Sequence, residues 1–263
     1  MQRWLVLTPP SHEERIGNAL VSADIEAELN PVNTAAEIRR AVAIEAQYGG
    51  RHFVAVGDDA SAGLVLDAVM QASWDERPIL GIVPEDGGCD FVRTFGLPQP
   101  LEDAVKHLKG DSTYDCDVGL LEGSWGRRYF LNLASAGAIG SRRSRRSEFR
   151  LITEKRTYEG KATSVLFANG QFAEGGLRVA PRATVVDGAV DVQAWDIRRR
   201  ERTLFLQSVA RGEHLRDKRV RRVSAATFEL ATERPWPVEA DGTRIGDTPV
   251  SGRAVPGAFA LKI

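Results

Sequence analysis

The feature that most constrains this chain is a change of hydrophobic period part-way along its 263 residues. Up to about residue 118, short apolar runs alternate with stretches of helical spacing. "RWLVLT", "HFVAV" and "ILGIV" read as strands; "HEERIGNALV", "SAGLVLDAVMQAS" and "PLEDAVKHLKG" read as helices. In "NTAAEIRRAVAIEAQYGG", Thr34 with Glu37 three residues on forms a capping box. Ile38, Ala41 and Val42 then give one apolar face, and Gly49-Gly50 stops the helix. Strands alternating with helices of this length predict a parallel sheet covered by helices.

After that point the helical period is largely lost. "YDCDVGLLEGSWGRRYFLNLAS" predicts two strands around a glycine-rich turn. "SVLFANGQFAEGGLRVAP" and "ATVVDGAVDVQAW" predict the same, with Asp187-Gly188 as a hairpin turn. "VSAATFELA" and "AVPGAFALKI" continue the pattern. One helix is expected around "RTLFLQSVARGEH", its apolar face (Leu204, Phe205, Val209) packed on a sheet. The expected organisation is therefore an α/β domain over residues 1–118 and a β-rich antiparallel domain over residues 119–263.

Composition excludes several classes. The net charge of −1 gives no reason to expect a nucleic-acid partner. No run of about 18 apolar residues occurs, so no transmembrane helix is expected, and "MQRWLVLTPP" is too short to be a signal core. Cys89 and Cys116 lack metal-ligand spacing and read as reduced thiols in a cytoplasmic protein. The four scattered histidines form no zinc motif.

Five segments, in order, resemble one family. "LGIVPEDGGCDFVRTFGLP", "RYFLNLASAGAIG", "FANGQFAEGGLRVAP", "RATVVDGAVDV" and "EADGTRIGDTPVSGRAVPGAF" are similar to motifs of diacylglycerol kinases and related bacterial lipid kinases. "GGCDFVRTFGLP" and "DGAVDV" favour that branch over the NAD kinases. The resemblance implies an N-terminal ATP-binding α/β domain, a C-terminal β-rich domain and an active site in the cleft between them. It also implies ATP and magnesium, with γ-phosphoryl transfer to a lipid hydroxyl by positioning and charge stabilisation.

Carried over residue by residue, the resemblance makes Pro9, Thr34, Gly57, Asp58, Asp59, Ala60, Ser61 and Gly87 nucleotide-binding positions. It makes Asp187 a magnesium candidate, with an ordinary turn as the alternative reading. Thr34 is explained equally by its capping role. The family's G-G-D-G-T loop has become Gly57-Asp58-Asp59-Ala60-Ser61, so two glycines are lost and one acid is added. An L-residue held at positive φ there would cost roughly 1–2 kcal/mol, and Asp58 would compete with phosphate at a helix start. The glutamate expected as general base is replaced by Thr243, leaving Asp241 as a substitute candidate. Two functional readings follow: an ATP-dependent lipid kinase of reduced activity, or a non-catalytic nucleotide- or lipid-binding scaffold. The segment "SRRSRRSEFRLITEKRTYEGKATSV", with Arg142, Arg143, Arg145, Arg146 and Arg150, reads as a solvated loop or as an arm that attracts anionic lipid headgroups. On the second reading the protein visits the inner face of the membrane.

Overall fold

A computed structural model of the protein describes residues 3–85, 88–137 and 146–263. The chain divides into two compact units, Met1–Cys116 with Gly257–Ile263, and Asp117–Pro256.

The first unit is built on strands β1 (Trp4–Thr8), β2 (Ala27–Pro31), β3 (His52–Gly57) and β4 (Ile79–Pro84), all parallel, in the order β2-β1-β3-β4. Helices α1 (Glu13–Ser22), α2 (Ala35–Gln47) and α3 (Asp59–Gln71) make the crossovers. The short α4 (Asp90–Arg93) and α5 (Leu101–Ala104) follow, α5 running into a 3-10 turn that ends at Leu108. Alternate strand residues Trp4, Val6, Val54 and Val56 pack against Ile16 and Leu20 of α1 and against Leu101, Val105 and Leu108. The residues between them, Leu5, Leu7, Phe53 and Ala55, are also buried, as expected for a sheet covered on both faces. The strand order reverses between β1 and β3, and at such a point the loops leaving the carboxyl ends diverge to open a crevice. Strand β2 has no signal in the sequence. "AELNP" is poor in β-formers, and as an edge strand it needs only one neighbour, β1.

Strand β5 (Thr113–Gly123) leads into the second unit. There β6 (Gly126–Phe130), β7 (Leu133–Gly137), β8 (Ser147–Thr153), β9 (Thr157–Ala162), β10 (Ser164–Ala168) and β11 (Val190–Trp195) precede α6 (Arg202–Ala210). After it come β12 (Val220–Ala225), β13 (Thr227–Thr232), β14 (Pro237–Ala240), β15 (Thr243–Asp247) and β16 (Val250–Lys262). One antiparallel sheet has the order β12-β11-β10-β7-β14-β15. A second is formed where β13 pairs with β8 and with the start of β16, and β8 pairs with β9. Phe130, Phe149, Phe167, Phe228 and Trp236 fill the core they share, with the rings of Phe167 and Phe228 stacked at 4.2 Å. Each such buried aromatic stabilises by roughly 2–3 kcal/mol.

Four expectations need correction. The basic segment is not wholly loop: Ser147–Thr153 alternates buried and exposed, with Phe149 and Leu151 inside, and pairs with Thr157–Ala162. The charged residues between had masked that period-2 pattern. Asp187-Gly188 is not the turn of a hairpin. The strands that pair are β10 and β11, and residues 169–189 connect them without named strands, their fold held by buried Val179, Ala183 and Val185. On α6, Phe205 and Val209 pack on Leu166, Ala168 and Trp195, but Leu204 is 72% exposed. Finally, "AFALKI" does not extend the antiparallel domain. Ala260 and Leu261 lie parallel to Ile79 and Leu80 of β4, satisfying an edge that would otherwise stay open. Among the described residues, no helix is long and apolar enough to cross a membrane.

Candidate functional site

At the carboxyl end of β3, Gly57 adopts φ +132°, and a Cβ there would lie 2.6 Å from Ser61 Oγ. Only glycine fits this turn without strain. The helix follows immediately. Asp58 is the N-cap of α3, and its carboxylate accepts hydrogen bonds from Ser61 N and Ser61 Oγ, both at 3.0 Å. Asp59, Ala60 and Ser61 make the first turn, so Ala60 is helical. The expected backbone strain is therefore absent: among the described residues, the non-glycine residues at positive φ are Asp24, Glu174 and Asp241. Asp58 and Ala60 therefore cost this loop charge compatibility with an anion, not conformational energy. An internal carboxylate now sits where a helix N-terminus attracts anions.

Asp59 points the other way, into the protein. Its carboxylate accepts from Asp90 N at 2.7 Å and Phe91 N at 2.9 Å, the first N–H groups of α4. Burial pushes the Asp59 carboxyl above the ordinary range and the Asp90 charge adds to this, while those two N–H donors oppose it. The buried Cys89 thiol, 3.6 Å from Asp59, is pushed well up by the same burial. Asp59 thus ties the loop after β3 to the loop after β4. Asp90 itself forms an ion pair with Arg93 at 2.9 Å.

Two other positions expected in the first unit, Pro9 and Thr34, lie at the same carboxyl edge of the sheet. Pro9 follows β1 and caps a 3-10 turn. Thr34 follows β2 and makes the full capping box: Glu37 N donates to its hydroxyl, and its own N–H donates to Glu37. That cap is worth about 1 kcal/mol and accounts for the threonine. Gly87 lies outside the described residues. Glu85, which sequence reasoning missed, ends β4 with a 5% exposed carboxylate that takes the Arg15 guanidinium at 3.1 Å. Its second oxygen has no partner among the described residues. The signal was a charged residue directly after an apolar strand. Arg15 also borders an open groove of about 660 Å³ with Ser11, Asn18, Leu101 and Lys106.

The remaining candidates belong to the second unit. Asp241 is buried at φ +47° and accepts from Leu131 N (2.8 Å), Asn132 N (2.8 Å) and Leu133 N (3.1 Å). It organises the turn between β6 and β7. Thr243 is half-buried at the start of β15. Asp187 is exposed and accepts from Ala189 N, while the neighbouring Gly188 N donates to Asp117. Among the described residues no group of three His, Cys, Asp or Glu side chains converges on a possible metal position. Asn169 was also missed: its amide donates to Asp117 O and Leu131 O, fixing the "ANG" turn.

Comparison with known proteins agrees with this layout. The model of the diacylglycerol kinase catalytic domain matches residues 11–121, and that of the YegS C-terminal NAD kinase beta sandwich-like domain matches residues 133–263. The chain belongs to the diacylglycerol kinase/YegS lipid kinase family. It is 25% identical to lipid kinase YegS of Escherichia coli strain K12 over 172 residues, 56% of this chain and 57% of that protein. It is 34% identical over 86 residues to a diacylglycerol kinase of Staphylococcus haemolyticus, covering 33% of this chain and 24% of that one. The chain thus spans about half, or less, of the length of these curated relatives. A crystal structure of a diacylglycerol kinase from Bacillus anthracis shares the fold, with TM-score 0.79, 19% identity, and coverage of 99% of this chain and 96% of that one. An NAD kinase from Archaeoglobus fulgidus, solved with ATP, is more distant at TM-score 0.56 and 13% identity, covering 100% and 94%. In this chain Gly57 makes the turn after β3, and Asp58 fills the helix start that follows it.

Proposed function

We propose that this protein is a lipid kinase that transfers the γ-phosphoryl group of ATP to a diacylglycerol-like hydroxyl, at a rate held low by its own site residues. The observation that carries the low rate is Asp241. Its carboxylate is engaged by three backbone N–H groups, and the family's glutamate position two residues on is Thr243. A threonine hydroxyl does not accept a proton at neutral pH, and a general base is worth about 10²–10⁴-fold. The α3 N-terminus does not fit a triphosphate as it stands, because Asp58 already occupies Ser61 N. Nucleotide must displace that carboxylate. With no cluster of metal ligands among the described residues, magnesium would arrive with the nucleotide phosphates. A second reading, a non-catalytic nucleotide- or lipid-binding protein, is favoured by the Asp58 cap.

Thermal shift with Mg-ATP, followed by labelled ATP and diacylglycerol in mixed micelles, separates the readings. The kinase reading expects a shift at millimolar nucleotide, a larger one in Asp58→Gly, and faster transfer in Thr243→Glu. Binding without transfer in either protein supports the second reading. No shift in wild type or in Asp58→Gly refutes nucleotide use altogether.

A further inference from the structure

The segment from Asp196 to Arg222 holds ten basic and four acidic residues, in a chain whose net charge is −1. The fold gathers this charge. Glu201, in the 3-10 turn before α6, pairs with Arg219 at 3.3 Å, and Asp196 N donates to Arg219 O. The turns around 198–201 and 216–219 are therefore adjacent. Arg198, Arg200, Arg216 and Lys218 project from them, exposed and without an ion-pair partner among the described residues. Leu204 lies on the adjoining surface of α6. Gln207 and Arg211 follow it one and two turns on, and Arg200 lies four residues before it. Phe205 and Val209 have already satisfied the sheet, so the exposure of Leu204 is not needed for packing.

We propose that this face of α6 and its flanking turns is a docking surface for an anionic lipid bilayer. The arginines and Lys218 meet headgroup phosphates and carboxylates, and Leu204 enters the boundary between headgroups and acyl chains. An exposed aliphatic side chain flanked along the chain by exposed basic residues matches that interface. A single-stranded nucleic acid would call for exposed aromatic rings to stack on, and here Trp195 and Phe205 are buried. The surface differs from the expected arginine arm. Arg146 is held bidentate by Asp196, Arg150 pairs with Glu159, and Arg142, Arg143 and Arg145 lie outside the described residues. The proposal requires no nucleotide and no transfer, so it stands or falls independently of the kinase reading.

The test is co-sedimentation of the full chain with phosphatidylcholine vesicles, with and without phosphatidylserine. Binding is expected only with phosphatidylserine and should weaken with salt. The variant Arg198→Gln/Arg200→Gln/Lys218→Gln should bind about fivefold more weakly per charge removed, and Leu204→Ser should weaken binding at unchanged charge. Arg39→Gln/Arg40→Gln, which removes two exposed arginines of α2, should bind as wild type. The proposal is overturned if neutral vesicles bind equally, if the α2 variant loses as much as the patch variant, or if an oligonucleotide binds through the patch more tightly than the vesicles do. Unchanged thermal melting of each variant ties any loss to the surface itself.

Discussion

Substituting Asp241 distinguishes a structural carboxylate from a catalytic one. Its oxygens receive three backbone N–H groups at 2.8, 2.8 and 3.1 Å, two of them on the buried residues Leu131 and Asn132. A hydrogen bond to a charged group contributes about 1.5–3 kcal/mol. The residue also sits at φ +47°, where aspartate is tolerated better than alanine, a difference of roughly 1 kcal/mol. Asp241→Ala should therefore destabilise the second unit by about 5 kcal/mol. At about 2–4 °C per kcal/mol for a chain of this size, that is a drop in Tm on the order of 10–20 °C. Asp241→Asn keeps one acceptor oxygen and the left-handed tolerance, and should lose about half as much. The assay is thermal unfolding followed by tryptophan fluorescence, with residual transfer measured on the folded fraction. If Asp241→Ala melts within about 3 °C of wild type yet abolishes transfer, the carboxylate acts on substrate and the structural assignment fails.

Three further outcomes are expected. Burial lowers His107 from 6.5 to about 4 while Ala104 O holds its Nδ1, so between pH 6.5 and 4 the unfolded chain takes up a proton that the folded one refuses. Stability should fall as pH drops through that window, by up to roughly 3 kcal/mol. His107→Gln should flatten the slope in urea titrations at pH 7 and pH 5; an unchanged slope would place the titration elsewhere. Arg222→Ala should cost about 3–5 kcal/mol, because it strands Asp191, whose side chain is 2% exposed; Asp191→Leu/Arg222→Met should recover most of it, and a double variant as unstable as the single would count against a charge origin. Gly81→Ala puts a Cβ 2.3 Å from Leu108 Cδ2 and should cost about 1–3 kcal/mol, partly relieved by Leu108→Val; a melting temperature equal to wild type would show that Leu108 moves freely.

Local chemistry made much of this protein legible before any coordinates. The periods of β1, β3, β4 and α1–α3, the Thr34 capping box and the Leu101-Ala104-Val105-Leu108 face depend on residues close in sequence, and all form as read. The family motifs were legible for the same reason: each is a short run. Strand β2 was not, since an edge strand is made by its neighbour. Nor was the β8–β9 hairpin, where arginines and glutamates on the outer face obscured the alternation of Phe149 and Leu151.

The site divides along the same line. By itself, the sequence determined that the loop opens on Gly57, that two acids follow it, and that Thr243 stands where the family resemblance expects a base. The tertiary structure decided what those acids do. Asp58 turns back to cap its own helix, and Asp59 turns inward to bind the N–H groups of a segment some 30 residues away. It likewise gave Asp241 to a turn more than 100 residues upstream. A carboxylate's role depends on which donors reach it, and the fold alone sets which donors those are.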